Sequence, residues 1–311
     1  MRRLAPLLLV VAACSSAAST STSPSTDTSP FTAPTTAIST TTSTSAVGAG
    51  PPAPTIPVDP PEKALYDHWK GSFAFGDGLR IDVYAPDERS NHPIAVTIHG
   101  GAWYAGSLES MGGLADGLAD RGFVVFNAGY HTILRGGTFP SMVSDVACAV
   151  VYARRHALDY STDDTTLALI GHSAGAHLSA LVAFAPETFG STCPDPRVDV
   201  FVGLAGSYDT DAYAGFLDPF YGVSQADDPA RWAEGNPKNL VAGIDPGLDV
   251  LLIHGDADEL VPSSMSEELA VAVEPYAAVT RFRLIHGAGH GEVTDPALVG
   301  DLIAEFVTAP Q

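Results

Sequence analysis

From about residue 62 onward, short apolar runs alternate with stretches whose apolar residues recur every three or four positions. The runs at 94–101 (IAVTIHGG), 122–130 (GFVVFNAGY), 165–173 (TTLALIGHS), 198–206 (VDVFVGLAG) and 249–256 (DVLLIHGD) are almost wholly apolar before they end in glycine or polar residues. Runs of that length and composition predict strands buried on both faces. Residues 79–86 (LRIDVYAP) alternate in polarity and predict a half-buried strand, and 280–287 (TRFRLIHG) closes the series. Between the strands, three-and-four spacing predicts helices at Leu108 to Asp120, 139–157, 174–187, Ser263 to Tyr276 and 295–307. Pro140 suits the first turn of the second of these. Apolar strands alternating with helices imply an α/β domain, a mainly parallel sheet covered on both faces. No internal repeat interrupts the series.

Residues 207–248 break the alternation. They hold Tyr208, Tyr213, Phe216, Phe220, Tyr221 and Trp232, three times the density of the chain's 8% aromatic average. The segment reads as a cap-like insertion, with Phe220 and Tyr221, and Trp103 from an earlier loop, expected against a ligand. Packing into a small core of its own is the other reading.

The N-terminus follows other rules. MRRLAPLLLVVAAC carries two arginines, a short apolar stretch from Leu4 to Ala13 and then Cys14. That stretch is too short for a mature membrane span and reads as a signal peptide over 1–13. VAAC resembles a bacterial lipobox, so Cys14 is expected to carry lipid and to anchor the exported chain on the outer face of a cytoplasmic membrane. Plain secretion is the alternative. Residues 15–61 are Ser, Thr, Ala and Pro almost throughout, with Asp27 and Asp59 the only charges. Such a segment cannot bury enough surface to offset chain entropy, so 14–61 is expected to be a disordered tether with a reach of about 40 Å. The catalytic unit is expected over 62–311.

Composition narrows the partners. The 311 residues carry a formal net charge of −21, which repels phosphate backbones and excludes nucleic acid as an expected partner. Hydrophobic residues make up 45% of the chain and charged residues 16%, as suits a globular protein. If Cys14 carries lipid, Cys148 and Cys193 remain as an even pair, either bonded or two buried thiols.

In an open parallel sheet, ligands bind beyond the carboxyl ends of the strands. There the sequence puts Ser173 within GHSAG (171–175), an acid within HGDADELVP (254–262) and a histidine within HGAGH (286–290). A serine hydroxyl becomes a nucleophile when a histidine takes its proton and an acid fixes that histidine's tautomer. His290, flanked by glycines, is the expected base; His286 still belongs to the strand, His254 precedes the acid, and His172 lies inside the serine turn. Asp258 is the expected acid, and Asp256 is expected to bond its own turn. HGGAW (99–103) ends an early strand in glycines, so Gly101 and Ala102, with Ala174 after the serine, are expected to donate N–H groups to an oxyanion. His99 is expected to anchor that loop.

Together HGGAW, GHSAG, HGDADELVP and GAGHGE resemble α/β-hydrolase carboxylesterases related to hormone-sensitive lipase, of the HGG-x-W branch with acetyl- and feruloyl-esterase-like and kynurenine-formamidase-like members. The resemblance covers about 65–308. It implies the α/β-hydrolase fold with about eight strands. It also implies hydrolysis of small-molecule esters without cofactor or metal, with Ser173, Asp258 and His290 as triad. Amide or formamide hydrolysis, carbohydrate deacetylation, or a non-catalytic binding module on the same scaffold are the alternatives. Ala102 stands where many lipase relatives have a third glycine. The segment before residue 65 reads as tether where some lipase-like relatives carry an N-terminal cap.

Overall fold

The computed structural model describes residues 66–163, 166–190 and 192–309. The expected signal segment 1–13, Cys14 and the tether over 14–61 lie outside the described residues.

The apolar runs form the centre of an eight-stranded sheet. Its strands are β1 (Trp69–Phe75), β2 (Leu79–Tyr84), β3 (Ile94–Ile98), β4 (Val124–Ala128), β5 (Leu167–His172), β6 (Val200–Leu204), β7 (Asp249–Gly255) and β8 (Val279–Ile285). Their spatial order is β1-β2-β4-β3-β5-β6-β7-β8. β2 runs antiparallel to both neighbours, and β4, β3, β5, β6, β7 and β8 are mutually parallel. Strands β3, β4 and β6 are buried at every position, because helices cover both faces.

Period-two alternation sorts each strand between those faces. Ile94, Val96 and Ile98 join the core formed with α2 (Ser141–His156) and α3 (Ala174–Phe184). Ala95 faces α1 (Gly112–Asp120) and α8 (Pro296–Thr308) on the other side. The remaining long helix, α7 (Ser264–Val273), shares a cluster with Ala176 and Ala180 of α3. The expected helix 174–187 is divided. α3 stops at Phe184, and Pro186 opens the short α4 (Pro186–Phe189), as a residue preceding proline disfavours the helical conformation.

The pattern did not reveal β1. Lys70, Gly71 and Ser72 interrupt its polarity, and a bulge falls between Trp69 and Gly71. It is an edge strand, so half-burial suffices to hold it. β8 is the opposite edge and is largely exposed.

The insertion after β6 consists of short turns, with α5 (Asp218–Tyr221) and α6 (Pro229–Glu234) as its helices. Apart from Phe216, its aromatics pack into the clusters of the domain rather than forming a separate one. Phe220 and Tyr221 pack on Phe139 with ring centroids 5.8 and 5.5 Å away, and Tyr221 stacks on Trp232 at 4.1 Å. Arg231 braces the segment by donating to the Tyr221 and Phe139 carbonyls. Phe216 alone of the six is exposed, at 49%.

Cys148 on α2 and Cys193, in the loop before β6, are joined in a disulfide spanning 45 residues of sequence. Of the two readings left open by the sequence, the bonded one holds. A loop of that size removes about 4 kcal/mol of unfolded-chain entropy in the simplest model. The Cys148→Ala/Cys193→Ala variant is therefore expected to lose up to about 4 kcal/mol of unfolding free energy, read from urea titrations beside the oxidised parent.

Candidate active site

The carboxyl ends of β3, β5, β7 and β8 carry the residues singled out by sequence. At the end of β5 the chain turns so sharply into α3 that Ser173 takes φ 54 and ψ −119. A non-glycine residue in that region costs about 1–3 kcal/mol and persists only where its surroundings leave no alternative. Two features supply that constraint. The Ser173 N–H donates to the Leu204 carbonyl at the end of β6 (2.8 Å). A side chain at Gly175 would overlap the Ile98 and His99 carbonyl oxygens, so glycine alone lets α3 start this close to β3.

The serine, histidine and acid meet. Ser173 Oγ lies 2.9 Å from His290 Nε2, and His290 Nδ1 lies 2.7 Å from Asp258 Oδ2. A carboxylate can only accept, so Nδ1 carries the proton and bare Nε2 receives the Ser173 hydroxyl hydrogen. The His290 loop is held by Glu292, whose carboxylate accepts the Gly289 N–H at 2.5 Å.

The Asp258 side chain is shielded from solvent and surrounded by donors. Its Oδ1 accepts the N–H groups of Leu260 (2.8 Å) and Val261 (2.9 Å). Its Oδ2 accepts from His254 Nε2 (3.1 Å) as well as from His290. Burial alone would raise the acid's pKa. The hydrogen bonds from Val261, His290 and Leu260 outweigh it and hold the pKa below the ordinary carboxylate value. Asp256, by contrast, stands outside the triad, and the backbone N–H of its own turn is among the groups that lower its pKa. Its carboxylate pairs with His286 and accepts the Gly287 N–H, both across the sheet at the end of β8.

The HGGAW loop curls beside the serine. Gly101, Ala102 and Trp103 take φ 126, 53 and 63, a left-handed run closed by Ala105 N–H donating to the Gly101 carbonyl at 3.0 Å. A side chain at Gly101 would strike the Ala105 carbonyl, which is why glycine occupies that position. Gly101 and Ala102 are exposed, and Ala174 opens α3, whose N-terminal end favours negative charge. His99 anchors the loop as expected, with Nδ1 donating to the Gly100 carbonyl (2.7 Å) and its ring stacked on Tyr130.

The three aromatics expected against a ligand are placed differently. Trp103, Phe220 and Tyr221 retain 2%, 0% and 1% exposure, so they form the wall behind the loop rather than its open surface. The Trp103 indole donates to His177 Nδ1 (3.0 Å), and His177 Nε2 donates to the Gly235 carbonyl (2.8 Å). Burial keeps His177 neutral by pushing its pKa to about 4. The reason for the difference is chemical: a wide indole on a left-handed loop is stable only where its N–H finds a partner, and His177 lies in the core. Tyr104 and Phe216 stand nearer the surface, with rings 5.1 Å apart and the Tyr104 hydroxyl donating to the Phe216 carbonyl.

Two further residues stand behind the acid. His254 Nε2 faces Asp258 Oδ2 and the Val261 carbonyl (3.0 Å), so it carries a hydrogen, while Ser266 Oγ donates to His254 Nδ1 (2.7 Å). His254 is four residues before Asp258, a spacing visible in sequence; Ser266 is on α7 and gives no local signal.

The BD-FAE family model matches residues 81–273 of the 311, from β2 to the end of α7. The chain belongs to the BD-FAE family. Its fold is that of α/β-hydrolases. A truncated carbohydrate esterase from gut microbiota superposes with a TM-score of 0.66 at 23% identity, covering 78% of this chain and 96% of that one. Esterase B of Lactobacillus rhamnosis superposes at 0.64 with 20% identity over 77% and 84%. Among curated proteins, the esterase LipQ of Mycobacterium tuberculosis is 28% identical over 72% of this chain and 57% of its own length. A probable isoprenylcysteine alpha-carbonyl methylesterase of Oryza sativa is 26% identical over 71% and 58%. Kynurenine formamidase of Salmo salar reaches 38% over a shorter stretch, 34% of this chain and 35% of its own. The BD-FAE chain thus spans little more than half the length of the first two curated relatives.

The depressed pKa of Asp258 has a consequence for stability. A carboxylate whose folded pKa lies below its unfolded value stabilises the fold above the ordinary carboxylate range, and that contribution is lost as pH falls through the folded value. The gap in urea stability between the parent and Asp258→Asn is expected to be widest near neutrality and to shrink below about pH 4.

Proposed function

We propose that the chain is a serine carboxylesterase that hydrolyses short-chain or small-molecule esters through an acyl-enzyme. The observation that carries this reading is the continuous hydrogen-bonded chain from Ser173 through His290 to Asp258, with the serine on a strained turn. Ser173 Oγ attacks the ester carbonyl carbon while its proton passes to His290 Nε2. The buried anion of Asp258 stabilises the imidazolium that results. The N–H groups of Gly101, Ala102 and Ala174 receive the developing oxyanion. When the C–O bond to the alcohol breaks, His290 returns the proton to the leaving oxygen. Water then attacks the acyl-enzyme, losing its proton to His290, and release of the acid restores Ser173. Every step draws on this chain's own groups and water.

The ester-directed names of the relatives from Mycobacterium tuberculosis and Oryza sativa favour ester over amide. The stretch shared with the Salmo salar formamidase supports a second reading, hydrolysis of a small amide by the same triad. The chemistry differs only in the leaving group, which His290 protonates in either case.

Export belongs to the same proposal. The basic start, apolar stretch and Cys14 support a lipid-anchored chain on the outer face of a cytoplasmic membrane, and a disulfide suits an oxidising compartment. On this reading Cys14→Ser moves the exported protein from the detergent phase to the aqueous phase in a phase-partition assay. An unchanged partition rules out the anchor.

For the chemistry, an activated short-chain ester is the substrate to offer, and a fluorophosphonate the label. The parent is expected to take up one label per chain at Ser173. Ser173→Ala is expected to take up none and to lose at least about 10⁴-fold in kcat with its fold intact. Comparable turnover by the Ser173→Ala protein would refute the assignment, and absence of a serine adduct in the parent would favour a binding module instead.

A further inference from the structure

His172 immediately precedes the serine, yet its side chain reaches the base. Its Nε2 lies 2.9 Å from the backbone carbonyl of His290, 118 residues away in sequence, with the two rings 4.9 Å apart. A carbonyl can only accept, so Nε2 carries the hydrogen and donates it. The other edge of the ring meets the HGGAW loop: a Cβ built on Gly100 would come within 2.8 Å of His172 Nδ1 and 3.1 Å of Ser173 Cβ. One imidazole therefore lies against the loop that carries the oxyanion donors, ends the β5 strand that leads into the nucleophile, and holds the loop that carries the base.

We propose that His172 is a positioning residue for the triad, fixing the His290 backbone to the serine turn through a donated hydrogen bond. The inference rests on the esterase reading above. Its physical basis is that His290 sits in a glycine-flanked loop after β8, the exposed edge of the sheet, where Gly287, Ala288, Gly289 and Gly291 each have a backbone partner of their own and the His290 carbonyl is held by the His172 side chain. The Glu292 carboxylate ties the Gly289 N–H, but the His290 carbonyl needs a donor, and His172 supplies it.

Neutrality is part of this role. His290, Asp258 and His254 are the charged or titratable groups acting on His172, besides the burial that dominates. Burial pushes its pKa to about 4, so at neutral pH it neither takes the serine's proton nor places a second cation beside the imidazolium of His290. A lysine could donate the same bond but would bring that charge. Glutamine donates the bond without the charge, because its side-chain nitrogen occupies nearly the position of the histidine Nε2.

His172→Gln and His172→Leu therefore separate the hydrogen bond from the bulk of the ring. A shift of about 1 Å in a reacting group costs about 10²-fold. His172→Leu is expected to lower kcat on an activated short-chain ester by about 10- to 100-fold, with KM within about twofold of the parent, and His172→Gln to recover most of that loss. Fluorophosphonate titration of each variant fixes the concentration of competent serines, so misfolded protein does not count as slow protein. If His172→Leu does not fold, His172→Asn, whose shorter amide falls short of the carbonyl, takes its place in the comparison. A kcat within twofold of the parent for the donor-lacking variant overturns the proposal. Equal losses in the Gln and Leu variants overturn it as well, since the ring's shape and not its hydrogen bond would then matter. A parent that neither turns over nor labels at Ser173 overturns the esterase reading beneath it, and with it this inference.

Discussion

The turn at Ser173 is the constraint on which the site depends. A serine held at φ 54 would relax if strand and helix could separate, and they cannot. The N–H of Ser173 is fixed to β6, and α3 begins so close to β3 that its second residue has no room for a side chain. The apolar burial of β3, β5 and β6 between two helical layers supplies the rigidity, and the strain is local to one residue. Core packing is thus converted into the orientation of a hydroxyl. The other site residues are arranged around that fixed point, each from the end of a different parallel strand.

Histidines do much of the arranging, and they do it uncharged. His177 holds the Trp103 indole, His254 steadies Asp258, and His172 spans from the serine turn to the base loop. Desolvation lowers the pKa of all three, so each offers one donor and one acceptor without adding a cation. The one anion in the interior of the site is Asp258, which is met by four N–H groups. Charge is therefore concentrated where an imidazolium forms and kept away elsewhere.

Much of this was legible in the sequence, for identifiable reasons. Strands buried on both faces are apolar at most positions, so β3, β4, β5, β6 and β7 stood out. Glycines at 171, 175, 100 and 101 are required by close approaches or a left-handed backbone, and such positions leave a mark that survives without coordinates. The pairing of Asp258 with His290 followed from their places beyond β7 and β8. β1 was illegible because an edge strand with a bulge needs no regular alternation. The aromatics between 208 and 232 announced burial but not which surface they would bury against; Trp103 and Phe139, distant in sequence, decide that. The roles of His172, His177 and His254 depend on which acceptor faces which ring nitrogen, and no spacing rule encodes that.

The two ends of the sheet carry a last consequence. An open sheet ends in unpaired backbone groups that invite another chain to add a strand. Here one border, β1, is bent by its bulge. The other, β8, carries Arg281 and Arg283, the first lying over the Phe306 ring. Neither border is a flat template, and a net charge of −21 adds mutual repulsion. Each border therefore disfavours the addition of a further strand, the one by its shape and the other by its charge.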